Sequence, residues 1–417
     1  MDYQVNPKVQ ALFDQVLSLD EVQKAMAFIE ADAEQSIEDQ IALTLIEAPT
    51  FQEAERAQAY AEYLGKLGLE DAHVDPYGNA VALWKGAGTG PKILVEAHLD
   101  TVFPKGSVKE VRRENGILYA PGIVDDTRGL AVLLSALRGL KASGLQTKGD
   151  IVFVGTSREE GMGSLGGMKD FLDHNPDIEG SISVDGAWTE SITFEATGFK
   201  TYEVNFYGIG GHAYGAFGLM ANPLHAAARA VAKIADFEVA KDPKTTFCVS
   251  NFHAGNDAGV HAIVPKATIK FNFRSNSAEL LEELNDRIFK AIQEACDEET
   301  ARWGKDTITW DSVQYCDVPA GTQDIHAPMV EATYLAAKHL SPDPEKVYFN
   351  QGGCVNGNMA VARGLPCVTI GGGLCDTKCH NLEEYYPIEN SHLCPQEVML
   401  LLLMAAGIEG KTESLLK

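Results

Sequence analysis

The spacing of apolar residues divides the chain into helical and extended segments. Over residues 6–69 apolar side chains recur every three or four positions, as in VQALFDQVLSL, and Pro49-Thr50 interrupts the run. This spacing predicts a helical N-terminal region. Short β-rich runs such as NAVALWKG, KILVEAHLD and DIVFVGTS then alternate with helical runs such as GLAVLLSALRGLKASG. Alternation of this kind is typical of βαβ units and predicts a parallel or mixed sheet.

The pattern changes at Thr197-Gly198. A strand (TYEVNFYGIG), a helix from Pro223 to Ile234, a second strand (ATIKFNFRS) and a long helix (AELLEELNDRIFKAIQEAC) follow one another. This β-α-β-α order predicts a small α+β domain. The α/β pattern then resumes with a helix near 328–339, the strand PCVTIGGG and a last helix after Pro395. The α+β domain is therefore an insertion in an α/β domain.

Chain length supports the same division. A single hydrophobic core stops growing at roughly 250–300 residues, and this chain has 417. We predict an α/β fold with a mixed-sheet catalytic domain that is discontinuous, at 1–196 and 317–417, and an inserted α+β domain at 197–316.

Composition and charge narrow the function classes. The formal charge of −25 repels nucleic-acid phosphates and anionic lipid headgroups, so we expect neither nucleic acid nor membrane as a partner. The start of the chain lacks the basic and apolar segments of a secretion signal, and we expect a cytoplasmic protein. None of the eight cysteines has the paired CxxC spacing of a structural zinc site, and we expect reduced thiols.

The predicted strand KILVEAHLD ends in His98 and Asp100. Because side chains alternate across a strand, positions i and i+2 point to the same side and these two residues can act together. A neutral imidazole is a common zinc ligand, and a nearby carboxylate can fix its ring. An ordinary solvated strand end is the alternative interpretation.

Two pairs of neighbouring carboxylates follow. Asp125 and Asp126 precede a predicted helix, where they can cap its first turn, or one of them can bridge two cations through its two oxygens. Glu159 and Glu160 end a buried-looking strand, where two carboxylates repel each other unless a cation or water separates them. In a metal site, one glutamate can bind metal while the other acts as general base.

Asp185 ends another short strand, and His380 follows a glycine-rich turn. Ligands in open α/β sheets gather at the carboxyl ends of strands, so these side chains are expected to converge on one edge with the pairs described above. The cluster predicts a metal site with two adjacent ions. A thiolate zinc site with Cys375, Cys379 and His380 is a less favoured alternative, because the acidic candidates elsewhere are hard oxygen donors.

In chain order, the segments AHLDTVFP, APGIVDDTRG, SREEG, SVDG and CHNLEEYY resemble the motifs of the co-catalytic zinc exopeptidases and amidohydrolases. That family includes tripeptidase, bacterial dipeptidases, glutamate carboxypeptidase and aminoacylase. The resemblance covers almost the whole chain. It implies two divalent metal ions per chain, with zinc favoured and cobalt or manganese open.

The resemblance also assigns roles to individual residues. It implies that Glu159 is the general base and that Asp100 supports His98. It implies that His98 and Asp185 bind one metal ion, that Glu160 and His380 bind the other, and that Asp125 bridges both. It further implies a cis peptide bond between Asp125 and Asp126.

The inserted domain carries two further matches. GIGGHAYG resembles the turn whose histidine, here His212, reaches across a dimer to stabilise the oxyanion, and KFNFRS resembles the strand whose arginine, here Arg274, binds the substrate carboxylate. The resemblance thus implies a lid and dimerisation domain and a homodimer. An ordinary loop histidine and an exposed arginine along a strand are the alternatives.

The implied activity is a dinuclear metal-dependent exopeptidase acting on short peptides. Asp185, rather than glutamate, resembles the aminopeptidase and dipeptidase members. The chain departs from the family at Cys354-Val355-Asn356-Gly357-Asn358, where relatives often have a Ser-Thr-Asp-Ser-Asn-like turn on the substrate side, and Asn358 is the candidate substrate ligand there. An N-acyl or N-carbamoyl amino acid amidohydrolase or carboxypeptidase remains an alternative, as does a non-catalytic binding protein on this fold.

Overall fold

The computed structural model describes residues 3–186, 188–256, 258–303, 308–350, 352–371 and 378–416. The chain divides into two compact units: unit 1 comprises Met1–Ala196 and Thr322–Lys417, and unit 2 comprises Thr197–Gly321. The predicted boundary at 316 lies inside a strand that pairs within unit 2 and ends at Val318.

Only some helices of the described chain begin at a capping side chain, and others begin without one. The side chain of Asn6 accepts the Lys8 N–H at 2.9 Å to start the first helix, and Gly144, at φ 68°, ends the fifth. In chain order the α-helices are α1 Pro7–Leu17, α2 Asp20–Ala31, α3 Ala33–Thr44, α4 Ala54–Lys66, α5 Thr127–Ser143, α6 Gly166–His174, α7 Pro223–Ala235, α8 Ala278–Trp303, α9 Pro328–Leu340, α10 Gly357–Val361 and α11 Leu393–Ala406.

The strands follow the same chain order. They are β1 Glu70–Val74, β2 Ala80–Trp84, β3 Ile93–His98, β4 Arg112–Glu114, β5 Ile117–Tyr119, β6 Ile151–Thr156, β7 Gly180–Val184, β8 Ser191–Thr193, β9 Gly198–Tyr207, β10 Gly211–His212, β11 Thr245–Ala254, β12 Ala262–Ile263, β13 Lys266–Ser275, β14 Thr309–Val318, β15 Tyr348–Asn350, β16 Cys367–Ile370 and β17 Tyr385–Pro387.

Unit 1 is built on a mixed sheet. Its order within the described chain is β1-β2-β6-β3-β7-β16-β8-β15, and the central strands β6, β3, β7 and β16 run parallel. These central strands are buried along their whole length, because helices cover both faces of a parallel sheet. The predicted mixed-sheet α/β fold is confirmed, and the carboxyl ends of four strands meet at one edge.

The core of unit 1 is formed by the sheet and by helices with few polar positions. In α11 every residue from Cys394 to Ala406 is buried, and the helix packs against α5 and α9. The predicted N-terminal helical region corresponds to α1–α4. The backbone N–H of Asn6 donates to Glu331 Oε2 of α9 at 3.0 Å, which ties the start of the chain to its C-terminal part.

Unit 2 contains a four-stranded antiparallel sheet of order β11-β13-β9-β14. The prediction of two strands was wrong, because β11 and β14 were missed. Both lie at edges of the sheet and most of their residues are exposed or half-buried, so they lack the strict apolar alternation that identified β9 and β13. The helices α7 and α8 pack on this sheet.

The cysteines and the lengths of the helices bear on two further expectations. Six cysteines of the described chain are reduced, but Cys379 is disulfide-bonded, so the expectation of reduced thiols is wrong for that residue. Cys375 lies outside the described residues. Within the described ranges, each helix is too short or too polar to cross a bilayer.

Candidate metal centre

His98 is the last residue of β3 and is 2% exposed. Its Nδ1 lies 3.0 Å from the backbone oxygen of Asp100. Because a carbonyl oxygen only accepts, Nδ1 carries a proton, and Nε2 faces Asp125 Oδ1 at 2.9 Å. Burial acts to lower the pKa of His98, but hydrogen bonds to Asp100 and Asp125 raise it well above its ordinary value. The imidazole thus presents Nε2 to the cluster of carboxylates.

Asp125 lies between two histidines. Its Oδ1 contacts His98 Nε2 at 2.9 Å and its Oδ2 contacts His380 Nε2 at 3.1 Å. Burial acts to raise the pKa of Asp125, but hydrogen bonds from His380 and His98 hold it below its ordinary range. The peptide bond between Asp125 and Asp126 is cis, as the resemblance implied. One carboxylate therefore presents a separate oxygen to each imidazole.

Glu160 joins the same cluster. Its Oε1 lies 2.9 Å from Nε2 of the half-exposed His380. Hydrogen bonds to Asp125 and Glu160 raise the pKa of His380 to about 10. Ligand atoms of His98, Asp125 and Glu160 all lie within 4.8 Å of one another, a separation that one metal ion can span.

Glu159 and Asp185 line the same cavity of about 240 Å³. Burial raises the pKa of Glu159 well above its ordinary value, and the charges of Glu160 and Asp185 add to the effect. Burial and the charge of Asp125 raise the pKa of Asp185 to about 7. The described residues that line the cavity are Val124, Asp125, Glu159, Glu160, Asp185, Gly186, Trp188, Gly353, Cys354, Val355, Gly371, Cys379 and His380.

This donor set fits two divalent cations. Neighbouring carboxylates add to the burial that raises the pKa values of Glu159, Glu160 and Asp185. The positive charges of His98 and His380 oppose this effect. Imidazole nitrogen and carboxylate oxygen suit zinc, cobalt and manganese alike. Because Cys379 is disulfide-bonded, it offers no thiolate, which weakens the alternative of a thiolate site.

Asp100 is fully buried and holds the loop that carries both glutamates. Its Oδ1 accepts the Glu159 N–H at 2.9 Å and its Oδ2 accepts the Glu160 N–H at 3.0 Å. The Thr50 hydroxyl donates to the same carboxylate at 2.9 Å. Asp100 Oδ1 also lies 3.6 Å from His98 Nδ1, at ion-pair distance, so Asp100 contacts both His98 and the backbone that orients Glu159 and Glu160.

Asp126 has different contacts from its neighbour Asp125. Its carboxylate accepts N–H groups from His98 at 2.9 Å, from Gly129 at 3.0 Å and from Gly186 at 3.0 Å. Asp126 therefore caps α5 and joins the ends of β3 and β7, while Asp125 faces the cavity. Sequence reasoning offered capping and bridging as alternatives for the pair; the structure shows that Asp126 is the cap, and bridging by Asp125 stays a prediction.

Glu384 is a supporting residue that the sequence analysis did not identify. It is fully buried, and its carboxylate accepts the N–H groups of Val124 at 2.7 Å, Asp125 at 3.0 Å and Gly122 at 3.3 Å. Burial and the charge of Asp125 raise the pKa of Glu384 to about 7. Its position in the segment CHNLEEYY was the available signal, but its partners are roughly 260 positions away in the chain.

The predicted residues of unit 2 are exposed. His212 Nδ1 accepts the N–H groups of Tyr214 and Gly215, each at 3.2 Å, so the ring proton is on Nε2 and can be donated. The Nε of Arg274 donates to Asn272 Oδ1 at 3.2 Å, and its guanidinium lies 4.8 Å from the Phe199 ring.

Asn358 is 1% exposed and its Oδ1 accepts the N–H of Val355 at 3.1 Å. This hydrogen bond within the turn stabilises its backbone. The residues of that turn that line the cavity are Gly353, Cys354 and Val355, so any effect of Asn358 on substrate passes through them.

Residues 94–404 match the family model described as peptidase family M20/M25/M40. Succinyl-diaminopimelate desuccinylase of Burkholderia ambifaria is 29% identical over 268 residues, which cover 59% of this chain and 70% of the relative. Aminopeptidase PepT of Bacillus cereus has a similar structure, with a TM-score of 0.72 and 21% identity over 88% of this chain and 97% of that chain. The YXEP protein of Bacillus subtilis, a dinuclear metal binding peptidase, gives a TM-score of 0.64 and 15% identity over 90% and 99% of the two chains. At these identities the solved structures show a shared fold.

Proposed function

This chain belongs to peptidase family M20/M25/M40 and is a metal-dependent hydrolase of peptide or amide bonds; we propose that it is a dinuclear exopeptidase that removes the N-terminal residue of short peptides. The observation that supports this proposal most is the position of Asp125. It offers one oxygen to His98 and the other to His380, which suits a carboxylate that bridges two cations.

Each metal position has a proposed ligand pair. His98 with Asp185, and Glu160 with His380, would hold one ion each, with Asp125 between them. Bound there, the cations would lower the pKa of a water molecule and polarise the scissile carbonyl. Zinc, cobalt and manganese all suit these donors. Metal analysis should find two ions per chain, and chelation should abolish turnover, which any of these metals should restore.

Glu159 is the proposed general base. Asp100 fixes its backbone, and its side chain lines the cavity with the proposed ligands. Ionised Glu159 takes a proton from the attacking water as its oxygen adds to the carbonyl carbon. As the carbon–nitrogen bond breaks, Glu159 returns the proton to the leaving amine. An elevated pKa favours the second step, because the acid form must persist until the amine departs.

His212 is proposed to stabilise the oxyanion. The tautomer set by Tyr214 and Gly215 leaves Nε2–H as a donor, and such a donor lowers the barrier as charge develops on oxygen. We propose a homodimer in which unit 2 of one protomer supplies His212 to its partner. Sedimentation should find a dimer, whereas a fully active monomer would contradict this arrangement.

A second candidate is an N-acyl amino acid amidohydrolase, favoured by the similarity to succinyl-diaminopimelate desuccinylase. The two candidates differ in whether they need a free amine on the substrate. Matched dipeptides with free and acetylated N-termini should be compared on metal-loaded protein. Cleavage of only the free form supports the aminopeptidase, and undiminished cleavage of the acetylated form supports the amidohydrolase.

A further inference from the structure

Three of the four tryptophans direct the indole N–H to a partner. Trp84 donates to Thr147 Oγ1 at 3.1 Å, Trp303 to Glu299 Oε1 at 2.8 Å and Trp310 to Gln293 Oε1 at 2.9 Å. Trp303 and Trp310 also pack against Phe217 and Phe289, respectively.

Trp188 differs from the other three. Throughout the described residues, it makes no hydrogen bond, ring contact or cation–π contact. Indole N–H groups usually find a partner when a tryptophan is buried, and tryptophan is enriched where a binding partner completes its surroundings. Trp188 is half-buried and lies in the wall of the metal cavity. Its ring is therefore available to a ligand in that cavity.

The other wall residues give this part of the cavity an apolar character. Val124, Val355 and the Cys354 thiol line it together with Trp188. Across the described lining, no lysine or arginine is present, whereas four carboxylates are. An anionic acyl group would find no lysine or arginine in the described lining and would face carboxylates, while an apolar side chain would find contact area.

The size of the cavity also limits the occupant. The cavity volume of about 240 Å³ is below the roughly 300–1,000 Å³ of pockets that bury drug-sized ligands. A small substrate group beside the scissile amide suits this space.

We infer that Trp188 determines specificity by packing against the side chain on the acyl side of the scissile amide, and that this side chain is apolar or aromatic and carries no carboxylate. This inference rests on the proposed exopeptidase function and names its substrate class. Apolar contact of this kind is worth a factor of roughly 10 to 200 in kcat/KM for each group that fills the pocket.

A dipeptide panel on the metal-loaded protein tests the inference. Phe-Gly and Leu-Gly should be cleaved with a kcat/KM at least about tenfold above that of Gly-Gly, and Asp-Gly should be the poorest substrate. Trp188→Ala should lose about tenfold or more on Phe-Gly and less than about threefold on Gly-Gly. Trp188→Phe should retain most of the preference, since it keeps an aromatic surface. Trp84→Phe, remote in β2, is the matched control and should leave the preference unchanged.

Binding without turnover provides a second readout. In a Glu159→Gln background, calorimetry should show Phe-Gly binding that Trp188→Ala weakens about tenfold, with metal content unchanged. Equal cleavage of all four dipeptides by the wild type would overturn the inference, as would an equal loss on Gly-Gly and Phe-Gly in Trp188→Ala. Cleavage of N-acyl amino acids but of no free dipeptide would instead overturn the proposed function, and the inference with it.

Discussion

The two units hold their ionisable groups in different ways. In unit 1, Asp100 and Glu384 are fully buried and accept backbone N–H groups from segments far away in the chain. In unit 2, His212 and Arg274 are exposed, and their hydrogen bonds go to groups within three positions of themselves. The buried polar residues of unit 1 therefore also hold the fold together, whereas the exposed ones of unit 2 do not. Substitution should therefore change both stability and turnover in unit 1, but only turnover in unit 2.

Asp100→Ala should have the largest effect. It leaves the N–H groups of Glu159 and Glu160 buried without an acceptor, at a cost of about 1–3 kcal/mol each. Urea denaturation should show a loss of roughly 2–5 kcal/mol, and turnover should fall with it. Asp177→Ala, at an exposed ion pair with Lys92, is the matched control and should cost less than about 1 kcal/mol. If Asp100→Ala were as stable as the wild type, the expected difference in stability effects between unit 1 and unit 2 would be wrong.

His212→Ala should reduce kcat by about 10²- to 10³-fold, the range for the loss of one oxyanion donor. The midpoint of urea unfolding and the metal content should match those of the wild type, since the side chain is exposed. His253→Ala, on the exposed strand β11, is the control and should retain activity. A loss of stability equal to that of Asp100→Ala would show that unit 2 does not differ from unit 1 in this way.

Glu397 is a buried acid of unit 1 whose surroundings differ from those of Asp100 and Glu384. It is fully buried in α11, and both carboxylate oxygens are without a hydrogen-bond partner in the described chain. Burial, with the charge of Glu190, raises its pKa well above the ordinary value. A raised folded-state pKa gives stability that is fully present below the unfolded pKa of about 4.3 and is lost as pH rises through the folded value.

Glu397→Met should therefore stabilise the protein by about 1–3 kcal/mol near pH 8. The gain should be smaller near pH 5, where ionisation of the unfolded chain is less favourable. Urea denaturation at the two pH values measures both, with the exposed Glu389→Gln as control. A gain independent of pH would show that ionisation of Glu397 is not responsible.

Arg274→Lys should have the smallest effect. Lysine keeps the charge but loses the bidentate geometry that suits a carboxylate. KM should rise about tenfold or less for a dipeptide with a free C-terminus, and stability should stay within about 0.5 kcal/mol. Amidation of the substrate C-terminus should remove the difference between variant and wild type. An equal effect on the amidated substrate would exclude carboxylate recognition by this residue.

Much of unit 1 was predictable because its strands are continuous apolar runs that end in histidine or acidic residues. β3 and β7 are buried throughout, and His98 and Asp185 come at their ends. The role of Glu384, and the link that Asp126 makes between the ends of β3 and β7, were not predictable. Each depends on contacts made across the fold, which no local spacing encodes.

Unit 2 was harder to predict for a different reason. Its central strands β9 and β13 alternate between buried and less buried positions, whereas the edge strands β11 and β14 are largely exposed. Exposed strands carry polar residues at positions that would otherwise mark the inward face. Alternation therefore identifies the middle of a small sheet better than its edges.

The central claim is a dinuclear metal centre with Glu159 as its base. The most direct measurement is the metal content and the single-turnover rate of Glu159→Gln beside those of the wild type, both loaded with the same metal. We expect two ions per chain in both proteins and a rate reduced by about 10²- to 10⁴-fold in the variant. Fewer than two ions in the wild type, or a variant that turns over at nearly the wild-type rate, would contradict it.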